Sequence, residues 1–149
     1  MGIEPYDLKA KNSLMTFEFI SQGLKGSIKK RIQYQKIDED DDVYNLAFGD
    51  VDMGTNDIDD IVITNNNDTT KVLATVASTV PMFLAKYPNA IIYMKGSTPT
   101  RTRLYQIEIA KNLDVINEKF TIFGQLEDKS LEKFQKNKPY SAFVIIKNR

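Results

Sequence analysis

Lys95-Gly96-Ser97-Thr98-Pro99-Thr100-Arg101-Thr102-Arg103-Leu104-Tyr105 is the stretch on which the fold turns, because the residues that it leads into fit two patterns. Tyr105, Ile107 and Ile109 alternate as in a half-buried strand. Tyr105, Ile109, Leu113 and Ile116, flanked by Leu104 and Ala110, make a helical stripe instead. The start signals decide between them. Ser97 or Thr98 can accept hydrogen bonds from helix-start amides. Pro99 then falls at the first helical position, where its missing N–H costs nothing and its fixed φ suits the helix. The spacing predicts a helix running to about Leu113.

Upstream, Ala90 to Met94 is short and wholly apolar, as expected of a strand at the centre of a sheet. Before it, Val72, Leu73, Val76, Val80, Phe83, Leu84 and Tyr87 form one apolar stripe of a helix capped by Asp68. Pro81 inside that helix should kink or divide it. Period-two patterns predict four strands earlier still: Leu14–Ile20, Ser27–Ile37, Val43–Val51 and Ile58–Thr64. The acidic run Asp38 to Asp42 is an exposed hairpin tip, and Asp52 to Asn56 is a turn. Downstream, Phe120 to Leu126 and Ala142 to Lys147 read as strands, and Ser130 to Phe134 as one helical turn. The order ββββα followed by βαββ predicts an α+β fold with a largely antiparallel sheet and two main helices. That order resembles the four strands and helix of Whirly-type and Pur-type nucleic-acid-binding proteins. A chain of 149 residues fits a single domain, with residues 1–12 as an arm.

The deciding stretch also carries the most chemistry. A helix N-terminus presents positive partial charge and amide donors, which suits a phosphate or carboxylate. Lys95, Arg101 and Arg103 add full charges, and arginine grips phosphate through two parallel hydrogen bonds. Gly96 permits a sharp turn or a close backbone approach. Cations at this end oppose the helix dipole, so stability alone would favour acids there. The candidate anion site is therefore Lys95, Gly96, Ser97, Thr98, Arg101 and Arg103. The spaced glycines and Lys-Ser/Thr of a Walker A loop are absent, and so is a dinucleotide-binding fingerprint.

Composition excludes several chemistries. With no cysteine there are no disulfides or thiolates. With no histidine, the commonest general base and transition-metal ligand is missing, no Ser-His-Asp triad is possible, and a structural zinc site is not expected. The start of the chain carries charges rather than an apolar run, and no segment is apolar enough to span a membrane. These features predict a cytoplasmic protein.

Zero net charge conceals segregation. Residues 38–68 hold eleven acids and no base, residues 1–37 carry +4, and residues 69–111 carry +5. Within the acidic block, Asp50, Asp52 and Asp60 are candidate ligands for Mg²⁺ or Mn²⁺, with alternate aspartates such as Asp50 and Asp52 expected on one side of a strand. Beside the basic segments, Tyr34, Tyr44, Tyr93 and Tyr105 could stack bases or fill the core. Lys29 and Arg31, with Tyr105, are the candidate extension of a nucleic-acid surface.

Four stretches carry a family resemblance: Val43-Tyr44-Asn45-Leu46-Ala47-Phe48-Gly49-Asp50, Asp59 to Asn66, Lys71 to Ala77, and Gly96 to Tyr105. Together they resemble a family of small uncharacterised proteins from Bacteroidetes, a domain of unknown function. The resemblance implies a bacterial cytoplasmic protein and no particular activity. The residues themselves favour a non-enzymatic binding module for a phosphate-bearing ligand, single-stranded nucleic acid or a nucleotide, with no cofactor. Two alternatives stand beside it. One is a metal-dependent phosphoesterase using the aspartates at 50–60. The other is a protein-interaction subunit whose basic turn meets an acidic partner surface, including that of a second copy in a homo-oligomer.

Overall fold

Alternating side chains build the first strands. In the computed structural model, which describes residues 4–59 and 66–148, Phe17 and Phe19 of β2 (Thr16–Gly23) are buried together with Ile32 and Tyr34 of β3 (Gly26–Lys36). The two strands pair antiparallel, with Phe17 opposite Ile32 and Gly23 opposite Gly26 across a two-residue turn. β1 (Lys9–Lys11) pairs with the other edge of β2, so residues expected to be an arm include a strand. A left-handed turn joins the two, with φ of 52°, 58° and 67° at Asn12, Ser13 and Leu14. That conformation costs a non-glycine residue about 1–2 kcal/mol. The Met15 amide closes the turn on the Asn12 carbonyl, and the Tyr34 amide anchors the Met15 carbonyl.

Helix α1 (Thr69–Lys86) buries Val72, Leu73, Val76, Val80, Phe83 and Leu84, the stripe that the 3.6-residue period predicts. The Tyr34 ring stacks on Phe83 with centroids 4.0 Å apart, and its hydroxyl meets Thr79 Oγ1 at 2.7 Å. Pro81 does not divide the helix, which runs through it. Pro81 and Ala77 are both exposed, so water can satisfy the Ala77 carbonyl that proline leaves without a donor.

The described chain divides into two compact units, Met1–Gln35 with Ala47–Lys86, and Lys36–Leu46 with Tyr87–Arg149. Strand β4 (Val43–Val51), which has the bounds that alternation predicts, contributes to both. In the second unit, residues 43–46 pair parallel with β6 (Ile91–Met94), and β6 pairs antiparallel with β9 (Ala142–Lys147). β9 pairs antiparallel with β7 (Phe120–Gln125), and β7 with β8 (Leu131–Lys133). The apolar run Ile91–Met94 thus has a neighbour on each side, as a sheet-centre strand should. Within the first unit the strand order is β1-β2-β3, with β5 (Ile58–Asp59) paired to β4, and within the second it is β4-β6-β9-β7-β8. This is an α+β fold with a mostly antiparallel sheet. Residues 60–64 of the expected fourth strand lie outside the described residues.

One expected element changes class. Ser130 to Phe134 contains a strand, β8, and not a helical turn, because residues 131–133 take up the hydrogen-bonding edge of β7. Close packing fixes the corner nearby. A Cβ at Gly124 would sit 2.3 Å from the Tyr140 ring, so only glycine fits there. Helix α2 (Pro99–Lys111) and a one-turn α3 (Leu113–Ile116) complete the second unit. Among the described residues no helix is long and apolar enough to cross a membrane.

Candidate functional site

β6 delivers the chain to the basic turn, where close packing sets its shape. Gly96 is buried, and its amide donates to the Thr102 hydroxyl at 3.0 Å. A Cβ on Gly96 would lie 2.4 Å from the Thr102 amide nitrogen, so the turn rests directly on the first turn of α2. Thr98 is extended (φ −137°, ψ 158°) and caps that helix, with its hydroxyl accepting from the Arg101 amide at 3.2 Å. Its carbonyl accepts from both the Thr102 amide and the Thr102 hydroxyl. The Thr98-Pro99 signal therefore does what capping chemistry requires.

The turn gathers some of the expected anion ligands and separates others. Arg101 folds back one turn, so that its guanidinium Nη1 donates to Ser97 Oγ. Ser97, Thr98 and Arg101 thus form one cluster at the helix start, and no acidic residue occupies the first turn. Lys95 and Arg103 are exposed. Arg103 projects about 200° around the helix from Arg101, because residues two apart do not share a face. The Gly96 amide is occupied by Thr102 and shapes the turn. Tyr105 is buried, as are Tyr34 and Tyr44, which removes them from base stacking. Tyr93 is half-buried and donates its hydroxyl to Gln125 Oε1 at 3.2 Å.

Lys29 and Arg31 lie in the first unit and face a carboxylate. Glu18 is buried, with Lys11 Nζ and Arg31 Nη2 each at 2.7 Å and Lys29 Nζ at 3.5 Å. Arg31 also donates through Nε to Glu18 at 2.7 Å and through Nη1 to the Asn56 carbonyl at 2.7 Å. Burial by itself would raise the Glu18 carboxyl. Hydrogen bonds from Lys11 and Arg31 and the charges of Arg31 and Lys29 outweigh it and hold the pKa at about 2.

Asp50 and Asp52 meet different partners. Asp50 is buried and bonded to Lys30 Nζ at 2.6 Å, with Lys30 itself only 1 % exposed. Asp52 lies beyond the end of β4 and turns the chain, its Oδ1 accepting from the Gly54 and Thr55 amides at 2.7 and 3.3 Å. Asp60 lies outside the described residues. Among the described residues no three acidic side chains converge as a metal cage.

Two polar groups escape a reading of the sequence alone, and a third, the expected cap Asp68, has side-chain partners that the sequence does not reveal. Glu18 alternates with Phe17 and Phe19 and so reads as solvent-facing, yet three cations enclose it. Lys30 has the same strand parity as Ile28, Ile32 and Tyr34, and that parity is the signal that it points inward. Asp68 sits where an N-cap belongs, with its carbonyl accepting the first α1 bond from Val72. Its Oδ2 accepts from the Tyr6 hydroxyl at 2.6 Å and the Ser21 hydroxyl at 2.5 Å, tying the N-terminal segment to β2 and α1.

A model described as Family of unknown function (DUF6934) matches residues 3–148, and the chain belongs to that family. No curated protein and no solved structure matches the chain. The likeness to Whirly-type and Pur-type proteins therefore rests on element order alone.

Proposed function

We propose that the protein is a non-enzymatic module that binds a phosphate-bearing ligand, single-stranded nucleic acid or a nucleotide, at the start of α2. One observation carries this reading. The Ser97 and Thr98 hydroxyls and the Arg101 guanidinium cluster at the N-terminus of a 13-residue helix whose first turn holds this one cation and no acid. Such a cation costs stability against the helix dipole, and a bound anion reverses the sign of that cost. Lys95 and Arg103 are exposed and add positive charge near the turn, Arg103 from another face of α2. Arg31 is engaged by Glu18 and Asn56, and Tyr105 is buried, so neither belongs to the surface proposed here. The likeness to Bacteroidetes proteins and the cysteine-free composition favour a bacterial, cytoplasmic setting.

The same geometry speaks for a binding module over a phosphoesterase. Asp50 is engaged by Lys30 and Asp52 by its own turn, which leaves these two carboxylates aimed at different partners and not at one ion. A second reading has one observation in its favour. Leu104 and Ile107, one helical turn apart on α2, are 40 % and 39 % exposed, which suits a protein-interaction subunit whose partner is both apolar and acidic.

Salt-titrated fluorescence anisotropy with a labelled single-stranded oligonucleotide and a labelled nucleotide tests the proposal. Affinity should fall steeply with salt. Arg101→Ala with Arg103→Ala should weaken binding and flatten the slope by roughly 0.7 for each phosphate no longer neutralised. No binding at low salt, or an unchanged slope in the double variant, removes the reading.

A further inference from the structure

The turn between β1 and β2 is strained at residues that carry side chains. Asn12, Ser13 and Leu14 take φ of 52°, 58° and 67° in succession. The left-handed region ordinarily holds single residues, glycine or asparagine above all. Asn12 suits it, but Ser13 and Leu14 do not. Ser13 is exposed, so a glycine there would remove strain without touching the core.

The segment before this turn is gripped by its own set of contacts. Lys9, Ala10 and Lys11 pair with Glu18, Phe17 and Thr16 of β2, and Lys11 Nζ meets Glu18 at 2.7 Å. The Tyr6 ring stacks on Phe19 with centroids 5.5 Å apart, under Lys71 Nζ at 4.4 Å. The Tyr6 hydroxyl donates to Asp68 Oδ2 at 2.6 Å and accepts from the Gln22 amide at 3.0 Å, and the Tyr6 amide donates to Thr75 Oγ1 at 2.9 Å. The partners all belong to β2, to α1 or to the Asp68 cap of α1. None of these contacts needs the segment to come from the same chain. If it comes from a second copy, every one of them forms again, and the turn opens into extended chain. A strained hinge beside a well-gripped segment is what favours such an exchange. A dimer made this way relaxes Ser13 and Leu14 in both hinges, a gain comparable with the cost of joining two chains.

We infer that the protein pairs with a second copy of itself by exchanging residues 6–11, each copy's Tyr6 and β1 seated on the β2 and α1 of the other. Sedimentation equilibrium of the full chain, from micromolar to millimolar concentration after prolonged incubation, should show a monomer–dimer equilibrium. Ser13→Gly should raise the dimer dissociation constant about a hundredfold, roughly tenfold for each of the two hinges. Ser13→Pro, which cannot take a positive φ, should lower it. If the proline variant does not fold, the glycine variant and the next measurement decide. In a dimer mixed from isotope-labelled and unlabelled copies, isotope-filtered nuclear Overhauser spectra should connect Tyr6 of one copy to Phe19 of the other. A monomer at every concentration, an unchanged constant in Ser13→Gly, or a dimer in which Tyr6 meets Phe19 only within one chain overturns the inference.

Discussion

The Gly96 amide donates to the Thr102 hydroxyl at 3.0 Å, and the space a side chain on Gly96 would need is taken by the Thr102 amide nitrogen at 2.4 Å. The turn before α2 is thereby pressed onto the helix it caps, and this packing places the Ser97 and Thr98 hydroxyls beside Arg101.

Gly96→Ala should destabilise the protein by about 1–3 kcal/mol, the range for forcing a methyl into a packed site whose neighbour is backbone. Urea unfolding at neutral pH measures it. An unchanged midpoint would mean that the turn is not seated on α2.

Lys30→Met or Asp50→Asn alone should cost about 3–5 kcal/mol, because each removes one member of a buried ion pair. Lys30→Met combined with Asp50→Leu should cost clearly less than the sum of the two single effects. A double-mutant cycle by chemical denaturation checks this, and simple additivity would refute the pairing.

Glu18 sets a pH dependence whose sign is fixed. Its folded pKa, about 2, lies below the ordinary carboxylate value of 4.5. Its contribution is therefore complete above about pH 4.5 and is lost as pH falls toward 2. Over that window it is worth on the order of 3 kcal/mol. Glu18→Gln should lower stability at pH 7 and flatten the acid limb between pH 4.5 and 2. Parallel curves for wild type and variant would show that the three cations do not act on this group.

Millimolar Mg²⁺ or Mn²⁺ should leave the melting temperature unchanged, because Asp50 and Asp52 serve different local partners. A rise that disappears in Asp50→Asn with Asp52→Asn would restore the metal-dependent alternative.

Local signals in the sequence carried much of the fold. Alternation places β4 at its observed bounds, the strand expected at 142–147 is β9, and Thr98-Pro99 resolves the ambiguous run after it into a helix. Partners distant in sequence account for the features that stayed hidden. Residues 131–133 become a strand only because β7 offers them an edge. Glu18 is buried because the register brings Arg31 opposite it and Lys11 and Lys29 alongside. The basic turn was legible as a cluster of types, but helix geometry parts Arg103 from Arg101, which a linear motif does not reveal.

Thermal unfolding of wild type, Thr98→Ala and Arg101→Ala, with and without phosphate, sulfate or a nucleotide at constant ionic strength, tests the anion site most directly. Without anion, Thr98→Ala should lose roughly 1 kcal/mol through removal of the cap. With anion, wild type should gain stability and Arg101→Ala should not, since a ligand stabilises only the state that it binds. Equal anion responses in all three proteins would contradict the account and leave residues 95–105 as an ordinary capped helix start.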